Sequence, residues 1–443
     1  MKKEISHQFG FLELVGFSFP AIIMLLITSL YTAVDGIFIS RYVGSDGLSS
    51  VNIMLPLDML AVGVGIMFGT GASAIIGQQL GAGKQQQARQ NFTFITLAAL
   101  VAGLVLSLCS VVFFKPLLGV LGATERLVPY CLQYGYILFG ASVFTVVQVM
   151  YQALFITAGK SHLALTLTVV SGVLNIILDY LFIVVFNMGM AGAAWGTTIG
   201  RILGGVFPLI YFLKDRGMLG FCKPKWNFKV VLLAMSNGSS EMVSNLATGV
   251  TTLLFNLAMM KIAGENGVAA MTIVLYTQFV FTAVYMGFSG SAAPVISYHY
   301  GGQNHTYLQK LFRYCLGIIG LSTLIMLVAS VVFATPLITL FTPQGTAVFE
   351  MAYEGYLLFI WNFLFAGFNI FASGLFTAFS NGKISALISF LRTLVFVVGC
   401  VLLLPQVIGM NGIWLSIPLA EFFTFLVAVV LVVRYGKQYH YLK

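Results

Sequence analysis

The sequence predicts an all-α integral membrane protein, with twelve transmembrane helices arranged in two pseudo-symmetric six-helix lobes. The first observation is composition: of 443 residues, 59% are hydrophobic and only 8% are charged, against roughly 25% charged residues in a soluble domain. The second is that apolar runs long enough to cross about 30 Å of hydrocarbon as a helix recur along the whole chain. The third is an internal repeat. Together these observations exclude a soluble domain and also a β-barrel, whose strands would be alternating segments of about 10 residues.

The apolar runs predict the helical spans directly. Several runs exceed the roughly 20 residues of a perpendicular crossing, which indicates tilt, or bends at Pro20 and at glycine-rich stretches. The predicted spans cover residues 12–40, 51–80, 92–114, 128–158, 162–186, 190–213, 230–262, 267–299, 311–334, 350–380, 384–405 and 410–434.

The second half of the chain repeats the first. VGSDGLSSVNI from Val43 aligns with AGENGVAAMTI from Ala263, and MGMAGAAWG from Met188 aligns with IGMNGIWLS from Ile408, both at an offset of 220. A short insertion shifts LFITAGK onto LFTAFSNGK by 223 at its glycine. We therefore predict a first lobe at 1–213, a cytoplasmic linker at 214–229 and a second lobe at 230–443. Six spans per copy give both copies the same direction, which is typical of transporters built from parallel repeats.

Lysine and arginine fall mainly on one side of the predicted membrane. Of the 22 Lys and Arg residues, 16 lie at one face and 4 at the other. Positively charged loops stay in the cytoplasm, so we expect a multi-pass protein of the cell (inner, cytoplasmic) membrane with both termini in the cytoplasm. The net charge of +9 then reflects topology, and no nucleic-acid partner is expected.

Two carboxylic acids of the first half lie inside predicted spans and have no equivalents in the second half. Asp35 aligns with Phe255, and Asp179 aligns with Gly399. A mid-span carboxylate costs about 2.5–3.5 kcal/mol on insertion scales. A residue needed only for the fold should tend to recur in both copies, so the asymmetry favours a functional role.

A cation or proton site is predicted around these acids. Asn175 and Asp179 are four residues apart and share a helix face, and Thr197 in the next span adds a hydroxyl. Two carboxylates, an amide oxygen and a hydroxyl suit a hard cation such as Na⁺, and they equally suit a proton shared by Asp35 and Asp179. The alternative is that each acid makes one structural hydrogen bond to a neighbouring helix.

Other intramembrane polar residues are secondary candidates. Glu241 and Glu421 are candidates for a cationic-drug route, or for a fixed salt bridge or a cytoplasm-edge position. Asn362 and Asn369 share a helix face and are expected to act in helix packing. Arg392 is expected to pair or to snorkel, and we place Asp58 near the outer water layer. Apart from Na⁺ at the coupling site no metal is predicted, and no cofactor is expected. Without a phosphate-binding loop, we expect the energy to come from an ion gradient, H⁺ or Na⁺, or from the substrate's own gradient.

The chain resembles the multidrug and toxic compound extrusion (MATE) family, in its DinF-like branch. The resemblance is carried by FPAIIMLLITSLYTAVDGIFISRYVG, GTGASAIIGQQLGAGK, QALFITAGKSHLALT, SGVLNIILDY and GAAWGTTIG. It implies a V-shaped pair of six-helix lobes, the MATE/MOP-type fold, that exports amphiphilic and cationic drugs in antiport with H⁺ or Na⁺ by alternating access. It also implies a cation site at Asp35, Asn175, Asp179 and Thr197, and a helix bend at Pro20.

Two alternatives stay open. A flippase of the same superfamily for lipid-linked precursors or oligosaccharides would favour cationic grooves, whereas only Arg201 and Arg392 are clear intramembrane cations. A receptor or channel would show no alternating access. The partners we expect are small-molecule drugs or organic cations and the lipid bilayer; we expect a monomer and no enzymatic activity.

Overall fold

The computed structural model describes residues 4–214 and 217–442, and within these ranges all the regular structure is helical. Four of the basic residues counted in the topology prediction, Lys2, Lys3, Arg216 and Lys443, lie outside the described residues. The helices are α1 Phe11–Phe38, α2 Ser45–Gly81, α3 Gln85–Val112, α4 Phe114–Val120, α5 Val128–Gly140, α6 Ser142–Thr157, α7 Ser161–Asp179, α8 Gly189–Lys214, α9 Phe228–Gly301, α10 His305–Val332, α11 Ala334–Thr339, α12 Ala347–Phe359, α13 Phe363–Ala378, α14 Gly382–Phe390, α15 Phe396–Ile408 and α16 Met410–Gly436.

Three short π-helical segments and one 3₁₀ turn continue these helices. They are Ile39–Val43 after α1, Tyr180–Val185 after α7, Ile360–Asn362 after α12, and Leu391–Val395 after α14. Each prolongs a membrane span without a loop, because a wider or tighter turn keeps the backbone hydrogen-bonded where no water can replace the bonds.

The longest helix, α9, is two spans folded against each other at Gly264. Its 74 residues would extend about 110 Å at 1.5 Å per residue, far more than one membrane crossing. Gly264 has φ 62° and ψ −152°, a conformation outside the helix. Ala234 of the first arm contacts Gly71 of α2, and Tyr298 of the second arm contacts Gly81. These glycines are about 15 Å apart along α2, far closer than a straight α9 would allow. The helix therefore reverses its direction.

The number of crossings follows from this reversal. In the described part of the chain, ten helices are long and apolar enough to span a membrane, and the pair α5 and α6, bent by 53°, makes eleven. Counting the two arms of α9 separately gives twelve, as the sequence predicted.

Backbone geometry recurs at the offset of the sequence repeat. Gly44 and Gly264, Gly83 and Gln303, and Gly189 and Gly409 are pairs with positive φ, and each pair is 220 residues apart. At the LFITAGK turn the prediction was wrong in register. Gly159 has φ 69° and its counterpart is Ser380 at φ 57°, an offset of 221 rather than 223. In both turns the next residue donates a backbone hydrogen bond five residues back, from Lys160 to Phe155 and from Asn381 to Phe376. The division into lobes at 213 and 230 stays a prediction.

The two halves of the chain meet at the end of the helices that carries the basic loops, here called the basic end. Among the described residues, three hydrogen bonds join 4–213 to 230–442, and all three lie there. Gln78 Nε2 donates to Ala378 O at 2.8 Å, Tyr307 OH donates to Phe9 O at 3.1 Å, and His299 Nε2 lies 3.4 Å from His7 O. The molecule is thus closed at the basic end.

Candidate functional site

Helices α7 and α8 approach closely along a row of glycines. Gly192, Gly196 and Gly200 are spaced four residues apart on α8, so they share one face. A Cβ atom at Gly196 would overlap Asp179 Oδ1, and one at Gly200 would lie 3.1 Å from Ser171 O. Small residues let membrane helices pack backbone to backbone. The GAAWGTTIG motif therefore makes room for the Asp179 carboxyl between two helices.

Helix α1 completes the site from the other side of α7. The Tyr31 ring packs over Gly172, where a Cβ would lie 2.7 Å from the ring. Asp35, one helical turn after Tyr31, is then directed at α7. Pro20, on the same helix, is buried inside an α1 that is helical without interruption from Phe11 to Phe38. Its role as a bend stays a prediction.

The Asp35 and Asp179 carboxyls lie close enough to interact directly with each other. Asp179 has no exposed surface and Asp35 is half-buried. Asp35 Oδ1 and Asp179 Oδ2 are buried without a hydrogen-bond partner. Two ionised carboxylates repel each other strongly in such surroundings, so the contact requires a proton or a cation between them.

Asn175 and Thr197 complete the predicted set of four. Asn175 Nδ2 lies 3.4 Å from Asp179 Oδ1 and 3.4 Å from Thr197 Oγ1, and Asn175 Oδ1 is buried without a partner. The structure thus brings all four residues together. The amide nitrogen faces Asp179 and Thr197, and the amide oxygen is left without a partner.

Asp58 has a partner that the sequence analysis did not predict. It pairs with Arg201 of α8 through two hydrogen bonds, from Nη1 to Oδ1 at 2.6 Å and from Nη2 to Oδ2 at 3.0 Å. Nη1 also donates to Thr145 Oγ1 at 3.0 Å. A mid-span arginine needs a counter-charge among its neighbouring helices, and Asp58 supplies it. That requirement of Arg201 was the signal that sequence reasoning missed. The position of Asp58 near the outer water layer stays a prediction.

The second half has its own ion pair. Glu421 is 4% exposed, and its Oε1 accepts a hydrogen bond from Arg392 Nε at 2.8 Å. Its Oε2 accepts one from Asn369 Nδ2 at 2.6 Å. Of the alternatives for Glu421, the structure has the fixed interhelical salt bridge, and Arg392 pairs as expected.

The remaining candidates are separate from this pair. Glu241 Oε1 lies 3.5 Å from Ser373 Oγ, at the edge of a buried hydroxyl cluster. Ser373 Oγ is 2.9 Å from both Ser385 Oγ and Ser389 Oγ. Asn362 Nδ2 donates to Phe359 O at 2.6 Å within its own helix. In the described residues, no group of three or more His, Cys, Asp or Glu side chains could hold a metal ion.

Comparisons with known proteins agree with this architecture. The MatE family model matches residues 20–181 and 242–402, one segment in each half. The multidrug export protein MepA of Staphylococcus aureus (strain MRSA252) is 23% identical, covering 98% of this chain and 96% of the relative. A solved structure described as the outward-facing conformation of a multidrug resistance MATE family transporter of the MOP superfamily has a TM-score of 0.90 and 21% identity, covering 96% of both chains. A mutant of the Vibrio cholerae MATE transporter VcmN has a TM-score of 0.89 and 22% identity, covering 97% of this chain and 98% of that one.

Proposed function

The chain belongs to the MatE family of multidrug and toxic compound extrusion transporters, and from that premise we propose that it exports amphiphilic organic cations in exchange for H⁺ by alternating access. The observation that carries the proposal is the contact between the Asp35 and Asp179 carboxyls inside the first half. Such a pair takes up one proton readily, and gives it back when a competing cation or a change of conformation favours the ionised form.

The charges of the interior support a cationic substrate. Five acids lie within the spans away from their ends, and two arginines neutralise two of these five, Arg201 at Asp58 and Arg392 at Glu421. The acids left without an arginine are Asp35, Asp179 and Glu241. An interior with excess negative charge attracts organic cations and repels the pyrophosphate of a lipid-linked precursor. This balance favours drug export over the flippase alternative.

Closure at the basic end supports a two-state cycle. If the basic loops are cytoplasmic, as the charge distribution predicts, the structure corresponds to a form open to the outside, like the solved neighbour described as outward-facing. We propose that the other state opens the contacts at the basic end, so that substrate enters from the cytoplasm. Protons then drive the cycle only because the two states differ in affinity for H⁺ and for substrate.

Helix α1 is the element through which we propose that protonation acts. It carries both Pro20 and Asp35. Proline removes a backbone hydrogen bond and leaves a carbonyl free within the helix, which lowers the cost of bending there. Protonation of Asp35 removes its charge and alters its contact with α7, and we propose that this change shifts α1 between a straight and a bent form.

The test is transport by the purified protein in vesicles, with each gradient imposed separately. An imposed H⁺ gradient should drive a fluorescent organic cation, and Asp35→Asn should reduce this export to the level of protein-free vesicles at equal protein content. The control is Asp46→Asn, which removes a carboxylate paired with the exposed Arg126 at 2.8 Å and should leave export intact.

Each contrary result has its own meaning. Export that only a Na⁺ gradient drives would replace H⁺ by Na⁺ as the coupling ion. Export that no gradient drives would refute antiport, and simultaneous labelling from both faces of the membrane would favour a channel. Parental export rates in Asp35→Asn would refute the role of Asp35.

A further inference from the structure

A permanent positive charge stands next to the coupling site. Thr197 and Arg201 are four residues apart on α8 and share one face of that helix. The Arg201 guanidinium cannot be deprotonated in a protein, so the site always has a positive charge beside it. In a transporter whose cycle depends on binding and releasing a cation at Asp35 and Asp179, this arginine is a competitor for the same acids.

The guanidinium and the acids lie within electrostatic range of each other. Tyr31 and Tyr134 each lie within electrostatic range of Asp35, Asp58 and Arg201. The Arg201 side chain keeps 21% of its surface exposed, and that of Asp58 keeps 24%, although both residues lie well inside their helices. The pair is therefore not fully enclosed by packed side chains.

Three hydrogen bonds keep the guanidinium where it is. Two go to the Asp58 carboxylate and one to Thr145 Oγ1, at 2.6, 3.0 and 3.0 Å. A bidentate arginine–carboxylate pair is among the stronger and more directional contacts of side chains. The pair uses both Nη atoms, and together with the bond to Thr145 it holds the group against α2 and α6.

We propose that Asp58 is a positioning residue, which holds Arg201 away from Asp35 and Asp179 and so keeps that pair free to take up and release the coupling proton. The inference rests on the proposed function. Without Asp58, the guanidinium would move to the nearest uncompensated carboxylates. It would then occupy the coupling site as a bound cation that cannot dissociate.

The second half shows that the scaffold itself does not require this pairing. The positions 220 residues after Arg201 and Asp58 are Glu421 and Gln278. Glu421 takes its counter-charge from Arg392, on the preceding span. A contact needed only to join the second and sixth spans of each lobe should recur in both copies, and this one does not.

The test compares Asp58→Asn, Arg201→Gln and the double variant in the same vesicles. We expect Asp58→Asn to lose gradient-driven export, Arg201→Gln to keep it, and the double variant to recover it. If the ion pair is merely structural, Arg201→Gln should be as damaging as Asp58→Asn, because each substitution leaves one charge of the pair without its partner. The matched controls are Asp46→Asn and Arg126→Gln, which break the exposed ion pair and should change nothing.

A second readout does not depend on transport. Carbodiimides modify protonated carboxyl groups inside membranes, and mass spectrometry of the peptides locates the product. We expect labelling of Asp35 or Asp179 in the parent, loss of it in Asp58→Asn, where Arg201 holds both acids ionised, and its return in the double variant. Unchanged labelling in Asp58→Asn would overturn the inference.

The two proposals fail in different ways. If no gradient drives export by the parent, the proposed function fails, and the labelling comparison still tests where Arg201 goes. If Asp58→Asn does not accumulate in the membrane, the Arg201→Gln variant tests the inference instead. Export and labelling at parental levels in Arg201→Gln support it, and loss of either one overturns it.

Discussion

Gly196 is the residue on which the geometry of the acid pair depends most directly. The space beside its α-carbon is filled by Asp179 Oδ1, and Asp179 in turn contacts Asp35 from α1. A side chain at this position would have to displace either the carboxyl or the whole of α8. The glycine thus shapes the proposed coupling site without contributing a polar atom.

Gly196→Ala should impair export. Overpacking of this kind costs about 1–3 kcal/mol, and here the strain falls on the Asp179 carboxyl, so we expect a lower rate of gradient-driven dye export per molecule in the membrane. Gly290→Ala is the control, because nothing lies within 4 Å of a Cβ at that helical position. Equal export rates for Gly196→Ala and the parent would show that Asp179 moves at no functional cost.

The site residues differ in how well their positions and contacts can be predicted from the sequence. Asp35 and Asp179 could be found because a charged group in an apolar span is rare and because the repeat lacks both. Asp58 could not be placed, since its partner Arg201 is 143 residues away and nothing in a single sequence gives the relative rotation of two helices. The Asp35–Asp179 contact was inferred from chemistry, and only the structure gives the direction of the Asn175 amide.

Between α2 and α9, the backbones of two helices come into direct contact. Gly71 faces the Ala234 carbonyl, Gly238 faces the Met67 carbonyl, and Gly81 faces the Tyr298 carbonyl. No Cβ atom fits at any of the three glycines while the helices remain at this distance. The closed basic end is therefore built from glycines on both sides of the contact.

Gly238→Ala should weaken closure at the basic end. If overpacking costs about 1–3 kcal/mol in the closed state alone, the equilibrium shifts about 5–150-fold toward the state that is open there. A single cysteine at Ser297, a residue with no exposed surface, should then react faster with a maleimide applied from the basic side. Gly249→Ala on the same arm is the control, since its Cβ would meet Met59 Sδ at an ordinary 3.5 Å. An unchanged labelling rate in Gly238→Ala would mean that the closed state tolerates the methyl group.

Helices were predicted better than their ends. The spans follow from hydrophobic length, which the membrane imposes. The start of α2 was missed by six residues, because SDGLSS is polar in sequence but helical in the structure, where α2 begins at Ser45. The sequence alignment paired Gly159 with Gly382, the nearest glycine, whereas the structural counterpart with positive φ is Ser380, two residues earlier.

In the molecule as a whole, the hydrogen bonds that join the two halves within the described residues all lie at one end. Gln78, Phe9 and His7 of the first half contact Ala378, Tyr307 and His299 of the second, all at the basic end. A cycle of alternating access has to break these contacts once in every turnover. A covalent bond across the same end should therefore stop transport while leaving each half folded.

A cysteine pair at Gly77 and Ser297 provides that bond. The Cβ atom of Gly77 would lie 2.9 Å from that of Ser297, and a separation of about 3.5–4.5 Å, which a disulfide needs, requires a backbone shift of only about 1 Å. The five native cysteines, Cys109, Cys131, Cys222, Cys315 and Cys400, are all unpaired and would first be replaced. Oxidation of the Gly77→Cys/Ser297→Cys variant should abolish export, and a reductant should restore it. Gly77→Cys alone should be insensitive to both treatments, because it has no partner thiol. If the cross-linked protein exports at the rate of the reduced one, then the basic end does not open during transport and the two-state cycle proposed here is wrong.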